Sequence, residues 1–156
     1  MSLATLKEVL SIASEKKIAI PAFSVDNLEV AEEIAAAAEE HSLPAILMIG
    51  QYTIKYGKLE DVANIIKNLA LSCRVPLVLH LDHGSSYEQA VLCLRNGFTS
   101  VMFDGSKLPL EQNVSITREI VRAARAVGVS VEAELGAIGG TEDGQTAKAN
   151  LVDVDE

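Results

Sequence analysis

The sequence alternates between two hydrophobic periods, and this alternation constrains the fold more than any other feature. Short apolar runs rich in β-formers occur at positions 17–23, 45–49, 77–81, 100–103 and 129–135. Between these runs, apolar residues recur at spacings of three and four, as one buried helix face requires. A further amphipathic segment with Leu6, Val9 and Leu10 opens the chain. Repeated strand–helix units of roughly thirty residues predict βαβ units and a parallel sheet.

Residues at the ends of these segments agree with this division. Ser85 followed by Glu88 forms a candidate capping box at the third of the intervening helices. Pro109 suits the first turn of the fourth. Gly97 and Gly128 suit the helix ends that precede the fourth and fifth strands. We therefore expect four intervening helices besides the opening one.

Polar residues on alternate strand positions distinguish two parallel architectures. His80 and Asp82 share one face of the third strand, and Glu132 and Glu134 share one face of the fifth. An open sheet covered on both faces favours wholly apolar strands. A barrel accepts polar side chains near the end where active sites form. We therefore predict a parallel (β/α)8 TIM barrel of the α/β class, to which this chain, as a single domain over 1–156, contributes about five β/α units plus an N-terminal helix.

The number of strands falls short of a closed barrel. Five strands are visible where eight are needed, and the fifth is followed by a glycine-rich loop and the segment LVDVDE. Five strands alone would leave two unpaired edges and an uncovered inner face. We therefore expect the sequence to be part of a longer protein.

Composition and charge exclude several classes of protein. The chain has 156 residues, is 49% hydrophobic and 22% charged, and carries a formal net charge of −9. This composition is typical of a soluble globular protein, and the acidity argues against nucleic-acid binding. No run of about 18 apolar residues and no signal-peptide pattern occurs, so neither a membrane span nor secretion is predicted. Cys73 and Cys93 are expected to be reduced thiols of a cytoplasmic protein.

The segment with the clearest chemical potential is the end of the third strand, Asp82 followed by His83. Imidazole is a good zinc ligand, and a neighbouring carboxylate can act as an acid or base. The plainer alternative is a turn in which Asp82 accepts main-chain hydrogen bonds and His83 is exposed. His80, two positions earlier, is expected to be a buried, hydrogen-bonded histidine, with a role as ligand or orienting residue as the alternative.

Three further carboxylates are predicted to lie close to this segment. Glu132 and Glu134 point the same way from the fifth strand, where they repel each other unless a cation or a shared proton is present. Asp104 ends the fourth strand, although it could equally be a turn residue before glycine. Because successive parallel strands end at the same mouth of a barrel, Asp82, His83, Asp104 and Glu134 are expected to converge.

Four stretches resemble one enzyme family. HLDHGSS, SVMFDGSKLP, VSVEAELGAIGGTEDG and AFSVDNLE are similar, in order and spacing, to stretches of the class II, zinc-dependent fructose-bisphosphate and tagatose-bisphosphate aldolases. The resemblance covers essentially this whole chain but only about the first half of the family's length. It implies a (β/α)8 barrel with an extra N-terminal helix. It also implies a lyase that reversibly cleaves a ketose bisphosphate into dihydroxyacetone phosphate and an aldehyde.

The resemblance also implies roles for individual residues. His83 corresponds to a zinc ligand, and Asp82 to the acid/base at the cleaved bond. Glu134 and Asp104 resemble residues of an alternative or second metal position. Glu142 resembles a loop glutamate that transfers a proton on the dihydroxyacetone phosphate carbon. Zinc would polarise the substrate ketone. Another divalent metal, or an additional monovalent cation, is compatible with the family.

Departures from the family pattern limit what the chain is expected to do alone. The family's other two zinc histidines and its phosphate-binding loops come from later strands, whereas no histidine follows His83 here. Ser24 and Gly50 replace an asparagine and a hydroxyl residue that are frequent in the family, and Asn27 is expected only to cap a helix. We therefore expect weak zinc binding and no aldolase activity from these 156 residues alone.

The first interpretation is thus part of a metal-dependent aldolase with a phosphorylated ketose substrate, homodimeric or homotetrameric as the family is. The second is a non-catalytic, truncated remnant that acts by associating with another chain. A third, a barrel epimerase acting on a sugar phosphate, is disfavoured by the GGTEDG loop. The sequence does not separate fructose from tagatose bisphosphate, and the residues that bind substrate are unknown.

Overall fold

A computed structural model describes residues 3–56 and 58–136, together with the main chain of 140–142 and 145–147. The helices are α1 (Leu6–Lys16), α2 (Leu28–His41), α3 (Gln51–Lys55), α4 (Leu59–Ser72), α5 (Tyr87–Arg95) and α6 (Leu110–Ala126). The strands are β1 (Ala22–Ser24), β2 (Ala45–Ile49), β3 (Leu77–Gly84), β4 (Ser100–Phe103), β5 (Ser130–Ala133), β6 (Gly140–Glu142) and β7 (Gln145–Ala147).

The first five strands form one parallel sheet in sequential order, from β1 to β5. His80 of β3 pairs with Ser100 of β4, which pairs in turn with Ser130 of β5. The predicted parallel α/β arrangement is therefore confirmed, and polar positions of neighbouring strands lie in register. β6 and β7 form a separate antiparallel pair.

The main core lies between one face of the sheet and the helices that connect its strands. Leu47, Leu79 and Val101 project from the three central strands into this layer and are fully buried. Helices α4 and α6 contribute Ile66 and Ile120, each with 0% exposure. All connecting helices can pack on one face because right-handed crossovers between sequential parallel strands return on the same side.

Helix α1 lies on the opposite, inner face of the sheet, which five strands alone were predicted to leave uncovered. Its Leu6 and Val9 pack on Ile46 and Val78, close to the amino ends of β2 and β3. The segment ahead of the helix is tied to the sheet, because the Ala4 N–H donates to the Leu77 carbonyl at 2.8 Å. The amino-terminal part of the inner face is thus covered, which corrects that expectation.

Several predicted boundaries were wrong: the third strand extends beyond 81 to Gly84, and the fifth spans Ser130–Ala133 and not 129–135. β1 begins at Ala22 and not at position 17, because Lys17 adopts a left-handed conformation (φ 53°) that closes α1. The cap of α5 is Ser86 and not Ser85: its side chain accepts from the Gln89 N–H. Helix α3 was not predicted, since its five residues are too short for a periodic pattern.

Other local predictions are confirmed. Gly97 (φ 81°) and Gly128 (φ 73°) stand where α5 and α6 give way to β4 and β5. Asn27 caps α2, since its side chain accepts from the Val30 N–H at 2.9 Å. No helix within the described part of the chain has both the length and the apolar character that crossing a membrane demands.

Candidate metal centre at the carboxyl end of the sheet

Three side chains from successive strand ends converge at the carboxyl end of the sheet. His83 Nδ1 lies 3.1 Å from Asp104 Oδ2 and 3.7 Å from Glu134 Oε2. One ligand atom from each residue lies within 4.8 Å of the other two. All three side chains are partly buried. The structure therefore brings together three of the four residues whose convergence the sequence predicts.

The backbone around His83 explains how consecutive residues can both serve the site. His83 is left-handed (φ 47°), and the register between β3 and β4 shifts between Leu81 and Gly84. Strict strand alternation would turn His83 away from the face that Asp82 occupies. The bulge and the left-handed residue instead turn the imidazole toward Asp104.

Gly84 is required by the close approach of β3 and β4 at this bulge. A Cβ at Gly84 would lie 2.2 Å from the Met102 carbonyl oxygen, a distance that no side chain can occupy. The Gly84 carbonyl in turn accepts from the Asp104 N–H at 2.8 Å. The same contact thus fixes the ends of both strands that carry His83 and Asp104.

Asp104 is held as a charged acceptor. Its Oδ1 accepts from the Ser106 N–H at 3.0 Å and from Ser106 Oγ at 2.5 Å, which leaves Oδ2 to face His83. Partial burial on its own would raise the pKa of Asp104, but hydrogen bonds from Ser106 and His83 outweigh it and lower the pKa below its ordinary value. The ionised Asp104 carboxylate can therefore bind a cation.

Glu134 is set in place through its main chain. Asn113 of α6, which is 3% exposed, donates from Nδ2 to the Glu134 carbonyl at 2.8 Å. Asn113 Oδ1 accepts from Thr117 Oγ1 one helical turn later, at 3.1 Å. The helix that leads into β5 therefore determines where that strand ends.

His80 lies deeper in the inner face and is a buried, hydrogen-bonded histidine, as predicted. Its Nδ1 lies 2.8 Å from Ser100 Oγ, and its Nε2 lies 3.7 Å from Glu132 Oε2. Burial, and secondarily the positive charge of His83, lower the pKa of His80 to about 4. Glu132 does not offset this effect, because about half of its side chain is in solvent. His80 is therefore neutral at pH 7.

Of the two predicted proton-transfer residues, the structure describes the side chain of Asp82 but only the main chain of Glu142. Asp82 is partly buried near the end of β3. Burial, and then the negative charge of Asp82, raise the pKa of Glu132, so the Asp82 carboxylate acts electrostatically on the carboxyl end of β5. Glu142 ends β6, where the structure describes only the main chain, so its predicted role lies outside the described side chains.

The donor set fits a divalent cation. Nitrogen and oxygen ligands lie about 2.0–2.2 Å from zinc, so two ligands of one ion are at most about 4.4 Å apart. The two distances from His83 satisfy this limit, and the Asp104–Glu134 pair lies within 4.8 Å.

Sequence reasoning missed the residues that hold the site in place. These are Gln51, Gln89, Ser106 and Asn113, each hydrogen-bonded to one of the candidate ligands or to its turn. Asn113 carried a usable signal, because it is a polar residue on the apolar face of a predicted helix. The other three are ordinary polar residues near turns, and their partners are distant in sequence.

The chain is similar to known proteins over most of its length. The family described as fructose-bisphosphate aldolase class-II matches residues 4–156. A fructose-bisphosphate aldolase from Geobacillus stearothermophilus is 47% identical over 146 residues, which cover 92% of this chain and 51% of that protein. One from Streptococcus pneumoniae is 38% identical over 159 aligned positions, which cover 100% of this chain and 54% of that protein.

Solved structures give the same picture. The YdjI aldolase from Escherichia coli K12 matches with a TM-score of 0.81 and 34% identity, over 86% of this chain and 52% of that one. A fructose-bisphosphate aldolase from Campylobacter jejuni matches with a TM-score of 0.72 and 25% identity, over 83% and 45%. The chain spans about half the length of the curated relatives it matches. Its sheet is thus the α/β barrel type of these aldolases, present over about half of their length.

Proposed function

This chain belongs to the class-II fructose-bisphosphate aldolase family, and from that premise we propose that it forms the metal-binding and proton-transfer face of a metal-dependent ketose-bisphosphate aldolase. The reaction is the reversible cleavage of fructose or tagatose 1,6-bisphosphate to dihydroxyacetone phosphate and glyceraldehyde 3-phosphate. One observation carries the proposal: His83, Asp104 and Glu134 meet within 4.8 Å at the mouth where barrel enzymes do chemistry.

The three converging side chains would hold the metal. His83 contributes a neutral nitrogen donor, and Asp104 and Glu134 contribute carboxylate oxygens. A zinc ion bound there supplies Lewis acidity toward the substrate ketone, although another divalent metal would serve, and a monovalent cation could assist. The lowered pKa of Asp104 keeps that carboxylate deprotonated at neutral pH, so it does not have to lose a proton when metal binds.

The proton transfers are assigned to two carboxylates. Asp82, next to His83 at the end of β3, takes the proton from the substrate hydroxyl on the carbon whose bond breaks, and returns it in the reverse direction. Glu142 gives a proton to the dihydroxyacetone phosphate carbon in the cleavage direction and removes it in the reverse direction. This assignment rests on the resemblance of the GGTEDG stretch to the family loop. Two separate carboxylates are assigned because one proton leaves the hydroxyl oxygen at the cleaved bond and the other is added to the carbon of dihydroxyacetone phosphate.

These 156 residues alone supply one histidine to the metal. One imidazole with carboxylates is a poor zinc set, so zinc binding by this chain is expected to be weaker than about micromolar and turnover absent. The full activity belongs to an assembly that includes the remaining length found in the relatives, in a cytoplasmic homodimer or homotetramer. Calorimetric titration with Zn²⁺ tests this, and sub-micromolar affinity combined with turnover would contradict it.

A chimera tests the aldolase function directly. Residues 4–156 replace the matching half of the Geobacillus stearothermophilus relative, which is 47% identical over 146 residues. We expect the chimera to cleave fructose 1,6-bisphosphate and to lose activity with a chelator. Asp82→Asn should lower kcat at least about a hundredfold, as loss of an acid/base group does.

The matched control is Asp61→Asn, a change of the same kind at an exposed position of α4. It should leave kcat unchanged. A folded chimera that binds metal through His83 yet cleaves no ketose bisphosphate would contradict the proposal. Comparison of the fructose and tagatose substrates on the same chimera would show which one it prefers.

A second candidate function is association with another chain without catalysis. Among the described residues, β1 pairs only with β2 and β5 only with β4, so the sheet has an edge on each side. All of β1 is exposed, including Phe23 at 45%. A tight assembly of the 156-residue chain in analytical ultracentrifugation, with no aldolase activity in the chimera, would favour this alternative.

A further inference from the structure

Two glutamine side chains form a reciprocal amide pair beside the candidate metal centre. Gln51 Nε2 donates to Gln89 Oε1 at 3.1 Å, and Gln89 Nε2 donates to Gln51 Oε1 at 2.9 Å. Gln51 opens α3 and Gln89 lies in the first turn of α5, so the pair links two helices 38 positions apart in sequence. Both residues are partly buried, where an amide needs partners other than bulk water.

The pair brackets the turn that carries His83. On one side of Gly84, Gln51 Nε2 donates to the His83 carbonyl at 2.7 Å. On the other side, Gln89 Oε1 accepts from the Ser85 N–H at 2.7 Å. A main-chain N–H can only donate, so the Ser85 contact fixes which end of the Gln89 amide faces the turn and thereby orients both amides.

The left-handed conformation of His83 in this turn has to be stabilised by contacts from elsewhere in the fold. A non-glycine residue in the left-handed region, as His83 is at φ 47°, is disfavoured by roughly 1–2 kcal/mol and persists where its surroundings determine it. Gly84 is pressed against β4 on one side of the turn. The glutamine pair holds the main chain on either side of Gly84 from α3 and α5.

We propose that Gln51 and Gln89 act as a clasp that keeps His83 in the left-handed conformation in which its imidazole faces Asp104 and Glu134, and that they are therefore positioning residues for the metal ligand. The clasp acts through the main chain, so neither glutamine contacts the metal or substrate. The metal part of this inference rests on the proposed function, whereas the conformational part does not.

The experiment replaces each glutamine by methionine in the 156-residue chain, since methionine keeps the length and removes the amide. The ¹³Cα and ¹³Cβ chemical shifts of His83 report its main-chain conformation. We expect them to move in Gln51→Met and in Gln89→Met, with the Ser85 amide exchanging about tenfold faster in the latter. In a Co²⁺ titration we expect each variant to bind about ten- to hundredfold more weakly than the unaltered chain.

Gln112→Met is the matched control, because Gln112 is an exposed residue of α6. It should change neither the shifts of His83 nor the Co²⁺ affinity. The double variant should be no worse than the worse single variant, because the two amides act as one unit. A merely structural role would lower stability without moving the spectrum of His83.

The outcomes separate the clasp from the metal centre. If His83 keeps its shifts in both folded variants, the clasp is wrong. If one variant does not fold, the other decides, because each removes a different end of the pair. If the unaltered chain gives no Co²⁺ response, the proposed metal centre fails while the shifts of His83 still decide the clasp.

Discussion

Asn113 donates a hydrogen bond from Nδ2 to the main-chain carbonyl of Glu134, with an N···O distance of 2.8 Å. The donor belongs to the second turn of α6, and the acceptor directly follows β5, the strand into which that helix leads. Glu134 Oε2 also lies 3.7 Å from His83 Nδ1. The buried Asn113 amide therefore connects helix α6 to a residue of the candidate metal centre.

Removal of this amide should destabilise the protein measurably. Asn113→Ala leaves the Glu134 carbonyl and Thr117 Oγ1 without their partner, and the expected loss in free energy of unfolding is about 1–3 kcal/mol. Urea denaturation provides the measurement. Asn64→Ala, at an exposed position of α4, is the matched control and should change stability by less than about 0.5 kcal/mol. Equal effects of the two substitutions would contradict this account.

Gly105 should be coupled energetically to Asn113. A Cβ at Gly105 would lie 2.2 Å from Asn113 Oδ1, and both residues are buried. Gly105→Ala is therefore expected to cost about 1–3 kcal/mol through overpacking. In an Asn113→Ala background most of that cost should disappear, because the clashing atom is gone. A double-mutant cycle measures the coupling, and strictly additive effects would show that the clash is not the cause.

Gly84→Ala should be among the most damaging single changes in the sheet. The new Cβ would meet a main-chain oxygen, Met102 O at 2.2 Å, which cannot move without opening the β3–β4 ladder. We expect a loss of at least about 3 kcal/mol or failure to fold. Gly50→Ala is the matched control, because nothing lies within 4 Å of a Cβ there. Similar thermal midpoints for both variants would refute this explanation.

The sheet was predictable because its signals are local. Runs such as 45–49 and 100–103 match β2 and β4 residue for residue, since short buried strands between helical patterns are distinctive. The convergence of His83, Asp104 and Glu134 followed from topology alone, because consecutive parallel strands end at one mouth.

The details that depend on tertiary contacts were not predictable. Strict alternation along β3 gives no reason for both Asp82 and His83 to serve the mouth, and the bulge that allows it arises from the contact of Gly84 with β4. The pairing of Gln51 with Gln89 is equally invisible in sequence, since 38 positions separate two ordinary polar residues. The cap shifted from Ser85 to Ser86 because β3 extends to Gly84.

His80 makes stability depend on pH. Its pKa falls from an ordinary 6.5 to about 4 in the folded protein, mainly through burial. The folded state therefore binds fewer protons than the unfolded state between these values. The contribution is fully present above pH 6.5 and is lost as the pH falls toward 4, by about 3 kcal/mol in total. Urea denaturation at pH values from 4.5 to 7.5 measures it.

His80→Gln isolates this effect from the other acid-sensitive groups. The glutamine can keep a hydrogen bond to Ser100 Oγ but has no proton to gain. Its stability should therefore fall less steeply between pH 6.5 and 4.5 than that of the unaltered chain. Asp104, whose pKa is lowered, contributes a loss of the same sign in both proteins and cancels in the comparison. Identical slopes would show that His80 is not the titrating group.

The affinity of the candidate metal centre should fall when the charge of Asp104 is removed. Asp104→Asn removes a carboxylate that lies 3.1 Å from His83 and is held for that contact by Ser106. We expect the affinity for Zn²⁺ to fall about tenfold or more by calorimetry. Zn²⁺ should also raise the thermal midpoint of the unaltered chain more than that of the variant, because at a given concentration a ligand that binds only the folded state stabilises it more when it binds more tightly. Asp61→Asn also removes one negative charge, at an exposed site, and should leave both readouts unchanged. If the two variants bind Zn²⁺ equally well, the ion is bound by surface charge and not by the cluster of His83, Asp104 and Glu134.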